Sequence, residues 1–368
     1  MSHELRAPSW VAAIAASTLL AMPGAGALAA SASDARPIAV PATQMAIVQT
    51  GNGGPEVLKL QSIPVLEPKA GEVLIKVVAA AINPIEWRNR VGGGGAGRPQ
   101  GTPAGPSVPG GDLAGVAVRL GEGVTSIKVG DAVFAKLGPG QPGLNGAYAQ
   151  YAVAPANQVM PKPVGQTYAE ASGLATVGMT AMRTLDHAKV SPGQRVFING
   201  IGGGIGSSAA QIAKARGAYV LGTASARHHE YLKSIGVSDV IDYQKVQFDT
   251  VIKEPVDVVI ETVSTETANQ ALNILKRGGQ LVSIAGAASP ELCAARGVTC
   301  ARIGGAVGRS NTELLAEISR LAEAGQYRLN VDATFPLEQA GAAQDLNHNV
   351  GTTGKVVLIV DAALADKK

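Results

Sequence analysis

Cysteine is almost absent from this chain of 368 residues: none precedes Cys293, and the only other is Cys300. That excludes a disulfide framework. A single bridge between the two needs an oxidising compartment, and two small buried apolar side chains is the preferred reading. The five histidines, His3, His187, His228, His229 and His348, have no partner at metal-ligand spacing, so no zinc site is expected. Charge of one sign does not accumulate either. Lys+Arg 31 against Asp+Glu 28 leave a net +3, scattered along the chain, which removes the basic footprint of a nucleic-acid binder and points to a small-molecule substrate. No G-x-S-x-G stretch occurs, so a hydrolase built on a nucleophile elbow is not supported.

Long hydrophobic runs are also missing. The run over residues 11–22 is too short to span a bilayer comfortably; with Arg6 before it and Ala27-Leu28-Ala29 after it, it reads as a secretory signal peptide over residues 1–29, followed by a linker over 30–44. A periplasmic or secreted protein is then expected, or a cytoplasmic one if the segment is only an Ala-rich extension. No Arg-Arg pair marks twin-arginine export, the route that would carry a folded, cofactor-loaded protein.

What is present is apolar and rich in turns. With 46% hydrophobic and 16% charged residues, 46 glycines and 21 prolines, the chain has material for two globular domains with many strands. The stretch VFINGIGGGIGSS, residues 196–208, runs from a β-branched segment through five glycines into a helical pattern, Ile205, Ala209, Ile212 and Ala213, which stops near Gly217. A second strand begins at Tyr219. Such a βαβ unit directs helix N-terminal amides at an anion, and bare glycines let a pyrophosphate approach the backbone. Gly200, Gly203, Gly204, Ile205 and Gly206 are therefore the candidate dinucleotide turn, spaced Gly-x-x-Gly-x-x-Gly. A tight turn without a ligand is the alternative.

The end of the second strand selects the dinucleotide. NAD-binding units place a carboxylate there for the ribose hydroxyl. Here residues 221–227 read LGTASAR, with no acid before Glu230, and Ser225 and Arg227 suit a 2′-phosphate. NADP(H) is the expected cofactor, against a plain solvated helix start at Arg227-His228-His229. Strands at residues 256–260 and 279–284, separated by a helix over 265–277, complete a doubly wound parallel sheet. Residues 45–168 have a different grain, with short β-branched runs at 73–78, 115–118, 131–135 and 148–153 split by turns, which predicts a β-barrel domain. A helix over 312–324 and strands at 331–335 and 355–361 are expected to return to it.

Taken in order, MAIVQTGNGGPEVLKL, AAAINPIEWRNR, GGDLAGVAVRLGEGVTSIKVGDAVFA, GAYAQYAVAPANQVMPKP, ATVGMTA, the glycine stretch and TGKVVLIV resemble the medium-chain dehydrogenase/reductase superfamily, within it the zinc-independent quinone oxidoreductase branch. The resemblance runs from Met45 to Asp361. It implies a GroES-like catalytic domain over residues 45–170, a Rossmann domain over 171–310 and a return to the catalytic domain over 311–368. Where zinc-using members carry a Gly-His-Glu ligand segment, this chain has Gly110-Gly111-Asp112, which implies a metal-free enzyme.

Carried over, Asn83 and Thr180 become the candidate catalytic pair beside the nicotinamide. Thr176 lines the same region, Tyr243 contacts the 2′-phosphate, and Ile284 and Ala285 pass the nicotinamide ribose. The implied activity is hydride transfer from NADPH to a quinone or an α,β-unsaturated carbonyl, with the proton donor unassigned. A non-catalytic NADPH-binding protein of the same fold is the alternative. The resemblance also implies a homodimer joined through the sheet edge near residues 281–288. The loop over residues 92–97 is expected to border the substrate mouth.

Overall fold

The computed structural model describes residues 39–93, 105–138, 143–304, 308–349 and 351–368. The expected signal segment and residues 94–97 of the glycine loop lie outside them. Two strands, β1 (Thr43–Gln49) and β2 (Leu58–Pro64), pair antiparallel and join the rest of the first lobe through a bridge between Ala46 and Ala149. β3 (Glu72–Ala81) is an almost unbroken apolar run, EVLIKVVAAA, and is accordingly buried on both faces. After α1 (Pro84–Arg90) come β4 (Asp112–Leu120), β5 (Ala132–Lys136), β6 (Tyr151–Pro155) and β7 (Val159–Pro161). β3 pairs antiparallel with β4 and β6, β4 with β5, and β5 with β7, giving the curled sheet of a GroES-like barrel. Its interior is filled by Ile47, Val73, Ile75, Leu113, Val133, Tyr148 and Leu358.

Two helices, α2 (Tyr168–Ser172) and α3 (Leu174–His187), lead into the second lobe. There β8 (Arg195–Asn199), α4 (Gly204–Ala215) and β9 (Tyr219–Ala224) form the expected βαβ unit. The lobe continues through α5 (His229–Ser234), β10 (Asp239–Asp242), α6 (Phe248–Val251), β11 (Val256–Glu261), α7 (Thr265–Ala271), β12 (Leu275–Ser283), α8 (Pro290–Arg296) and β13 (Thr299–Arg302). Every pair is parallel and the spatial order is β10-β9-β8-β11-β12-β13, the doubly wound dinucleotide-binding order with its switch point between β8 and β11. Alternation along β8 feeds both covering layers: Val196 and Ile198 pack on one side, Phe197 on the other.

The chain then returns to the barrel. α9 (Asn311–Glu323) is followed by β14 (Val331–Pro336), α10 (Ala340–Asn349) and β15 (Lys355–Ile359); β15 pairs antiparallel with β3 and parallel with β14. One apolar core joins the lobes, holding Val78 and Phe134 from the barrel, Leu174 and Met182 from α3, Ile212 from α4 and Ile318 from α9. No helix among the described residues is long and apolar enough to cross a membrane.

Three expectations are corrected. Cys293 and Cys300 are joined in a disulfide that pins α8 to β13, rather than standing as two free buried thiols; their Cα atoms lie 6.2 Å apart across a turn at Gly297. The helix expected over 265–277 ends at Ala271, because Leu275 pairs with Val256 and the chain is already extended there. Residues 281–283 are not a sheet edge, since β12 is flanked by β11 and β13; the edge on that side is β13, and β10 is the other.

Candidate active site

The glycine turn sits at the carboxyl end of β8, beside the switch point. Gly200 takes φ +77°, and a Cβ there would stand 2.4 Å from the Thr262 hydroxyl. Gly206 faces the backbone of its own turn: a Cβ would lie 2.3 Å from the Gly200 carbonyl and 2.7 Å from Ile201 Cα. Gly203 is the N-cap of α4 and supplies no side-chain acceptor, so the amides of Gly204, Ile205 and Gly206 enter the helix without an intrahelical partner. These amides, the helix dipole and the absence of Cβ atoms suit a pyrophosphate. The turn is also held from the barrel side. Gly203 bridges Gly354, whose amide donates to the Gly202 carbonyl at 3.1 Å.

The remaining cofactor candidates follow the other strands. Ser225 comes directly after β9 and opens a single turn, residues 226–228, that carries exposed Arg227. Arg227 Nε donates to His228 Nε2 at 3.2 Å. Tyr243 comes directly after β10 and is 59% exposed. Ile284 and Ala285 follow β12; the Ile284 amide donates to the Glu261 carbonyl at 3.0 Å and the Ala285 amide to the Ser283 hydroxyl at 3.2 Å. All of them therefore lie along the carboxyl edge of the parallel sheet, where open α/β sheets bind ligands. His228 was not among them. It is buried rather than solvated, its ring lies against Gly202, and it hydrogen-bonds Thr353 of the returning segment. Burial first, then Arg227, lowers its pKa.

Asn83 and Thr176 meet in a second group, between barrel and α3. Asn83 caps α1, its amide donating to Glu86 Oε2 at 2.7 Å. Its side chain donates to Asp112 Oδ2 at 3.1 Å and accepts from Lys355 Nζ at 2.7 Å. Asp112, fully buried at the start of β4, also accepts from the Thr176 hydroxyl at 2.7 Å and amide at 3.2 Å, and from Lys136 Nζ at 3.5 Å. Lys136 donates to the Thr176 hydroxyl at 2.7 Å. Glu86 accepts from the Tyr148 hydroxyl at 2.6 Å and the Gly111 amide at 3.3 Å. Thr180 lies one turn beyond Thr176 on α3, on the same face and half-buried.

Two carboxylates and two ammonium groups are thus gathered, all but Lys136 buried. Burial raises the Glu86 pKa against the hydrogen bonds from Asn83 and Tyr148, and lowers that of Lys355 against the pull of Asp112 and Glu86. Tyr148 is pushed well above its usual range, chiefly by burial, and stays protonated as a donor. Sequence reasoning reached Asp112 only as a place lacking a metal ligand, and missed Glu86, Lys136, Tyr148 and Lys355. The NPIE capping pattern was the one available signal, marking Glu86 as a partner of Asn83.

Known proteins share this architecture. Residues 69–164 match the alcohol dehydrogenase GroES-like domain, and residues 235–358 match the family described as zinc-binding dehydrogenase. A quinone oxidoreductase of Mus musculus is 32% identical over 326 residues, 84% of this chain and 95% of its own length. An NADPH-dependent alkenal/one oxidoreductase of Arabidopsis thaliana is 33% identical, over 87% of this chain and 80% of its own. Among solved structures, the quinone oxidoreductase from Coxiella burnetii superposes with a TM-score of 0.75 at 31% identity, covering 86% of this chain and 99% of that one. With the barrel, the doubly wound sheet and the glycine turn in the same order, the chain belongs to the medium-chain dehydrogenase/reductase superfamily, in its quinone oxidoreductase-like branch.

Proposed function

We propose that this oxidoreductase transfers hydride from NADPH to a quinone or an α,β-unsaturated carbonyl without a metal. The observation that carries the reading is the bridge from Gly203 to Gly354, which sets an uncapped helix N-terminus beside the strand that begins with Lys355 of the buried cluster. A reduced nicotinamide, when bound, supplies the hydride. The protein's part is then placement: the α4 amides hold the pyrophosphate, while Asn83 and Thr180 flank the reacting ring.

Support for the phosphorylated dinucleotide comes from the end of β9, where Ser225 and Arg227 stand with no carboxylate before Glu230. The donor set argues against zinc. Among the described residues no group of three or more His, Cys, Asp or Glu side chains is gathered, and the Asp112 carboxylate is matched to an amide, two hydroxyl or amide donors of α3's first turns and an ammonium.

Fluorescence titration with NADPH and NADH tests the reading. NADPH should bind the more tightly, and Arg227→Ala should weaken NADPH by about tenfold or more while leaving NADH nearly unchanged, as the loss of a charge-assisted phosphate contact requires. Binding of neither dinucleotide would sink the proposal. Tight NADPH binding with no turnover of any quinone or enone would make this a binding protein instead.

A further inference from the structure

We propose that Lys136 is the electrophile of this site, holding the carbonyl oxygen of the acceptor and giving it a proton; the inference rests on the hydride-transfer reading above. Three features of the cluster single it out. Asp112, Glu86 and Lys355 are all buried, whereas the Lys136 side chain is 23% exposed, so it alone among the cluster's charges has a side open to an entering molecule. Its position is fixed from two elements, by the Thr176 hydroxyl at 2.7 Å and Asp112 at 3.5 Å. An ammonium carries three N–H groups, and these two acceptors use two of them. The third is available for a ligand. Gly111 lies beside the ammonium: a Cβ at that position would stand in van der Waals contact with Nζ, 3.7 Å away, and the glycine leaves that space clear.

The other lysine does not serve. Lys355 Nζ is held by the Ile82 carbonyl and by Asn83 in the interior, where its buried side chain has no face open to an entering molecule. Lys355 supports Asn83 from behind. Lys136 stands in front, next to the α3 face that carries Thr176 and Thr180.

The step balances for an enone. Hydride from the reduced nicotinamide dinucleotide adds to the β-carbon, and the C=C pair shifts so that negative charge grows on the carbonyl oxygen. A Lys136 N–H bond breaks as the O–H bond forms, leaving an enol that converts to the ketone in water. The neutral amine regains its proton from water. A fixed cation at the developing oxyanion is the kind of interaction that is stronger in the transition state than in the ground state.

Lys136→Met and Lys136→Arg separate charge from proton delivery. Each is examined with NADPH by fluorescence, with 4-nitrophenol by its phenolate absorbance as a stable oxyanion mimic, and by enone reduction. Lys136→Met should keep NADPH affinity within about twofold, weaken nitrophenolate binding about tenfold or more, and lower kcat about 100-fold, the scale of a lost general acid. Lys136→Arg should retain nitrophenolate binding yet still lose turnover, because guanidinium does not release its proton. A Met variant that binds nitrophenolate as the parent does and turns over within about threefold of it would overturn the assignment and leave the hydride-transfer reading intact. Failure of the parent protein itself to bind NADPH or reduce an enone would instead remove the reading beneath it. Should the Met variant lose NADPH binding, Lys136→Gln carries the same comparison.

Discussion

His228 ties three separate parts of the crevice with one side chain. Its ring lies on Gly202 of the turn, its Nε2 accepts from Arg227, and its Nδ1 pairs with Thr353, 125 residues away. Burial, Arg227 and His229 lower its pKa from the ordinary 6.5, with Asp332 opposing them. The folded state therefore takes up this proton less readily than the unfolded chain does. The stability that the neutral ring contributes is present above 6.5 and is lost as pH falls through 6.5 toward the lower folded value. Replacing His228 by Asn should accordingly flatten the fall in thermal midpoint between about pH 7 and about pH 5.5. An unchanged slope in the variant would mean that other groups set it. The position of Ser225 and Arg227 at the end of β9 was legible because a strand end is fixed locally. His228 was not, because its burial depends on a segment that only the fold brings near. The same holds for Lys355, whose contact with Asn83 spans 272 residues.

At the level of elements, the β8–turn–α4–β9 unit could be read almost residue by residue, since apolar alternation, glycine placement and helical spacing all agree there. The stretch after α7 could not. Its apolar spacing continues the helical pattern through Leu272, yet pairing of Leu275 with Val256 draws the chain into the sheet, and tertiary pairing overrides local preference. Within the legible unit the glycines are not equivalent, and that difference can be measured. A methyl at Gly206 meets backbone at 2.3 Å and 2.7 Å, atoms that cannot give way without moving the turn; at Gly203 the nearest atom is 3.7 Å off. Gly206→Ala should cost about 1–3 kcal/mol of stability and abolish tight dinucleotide binding. Gly203→Ala should keep the fold, and any loss there should appear in cofactor affinity alone. Equal thermal midpoints for the two variants would refute this division of roles.

On the scale of the whole molecule, the lobes are joined by a shared apolar core and by the cluster around Asp112, two kinds of connection with different sensitivities. The core draws on α3, α4, α9 and the outer face of the barrel, so neither lobe closes its own interior alone. Asp112 is where the polar connection is concentrated, because a single buried carboxylate answers donors from the cap of α1, from β5 and from α3 at once. Removing the charge while keeping the shape isolates that connection. In Asp112→Asn the amide oxygen can replace one carboxylate oxygen, but the new amide group meets donors where an acceptor is required. The ammonium groups of Lys355 and Lys136 then face Glu86 without a second carboxylate, and breaking a buried charge group in this way costs about 3–5 kcal/mol. Because the core is common to both lobes, the loss should lower the midpoint of one denaturation transition followed by far-UV circular dichroism, not split it into two. A split transition would mean that the cluster, and not the core, makes the lobes fold together; an unshifted midpoint would mean that the buried charges at the lobe junction contribute little to holding it.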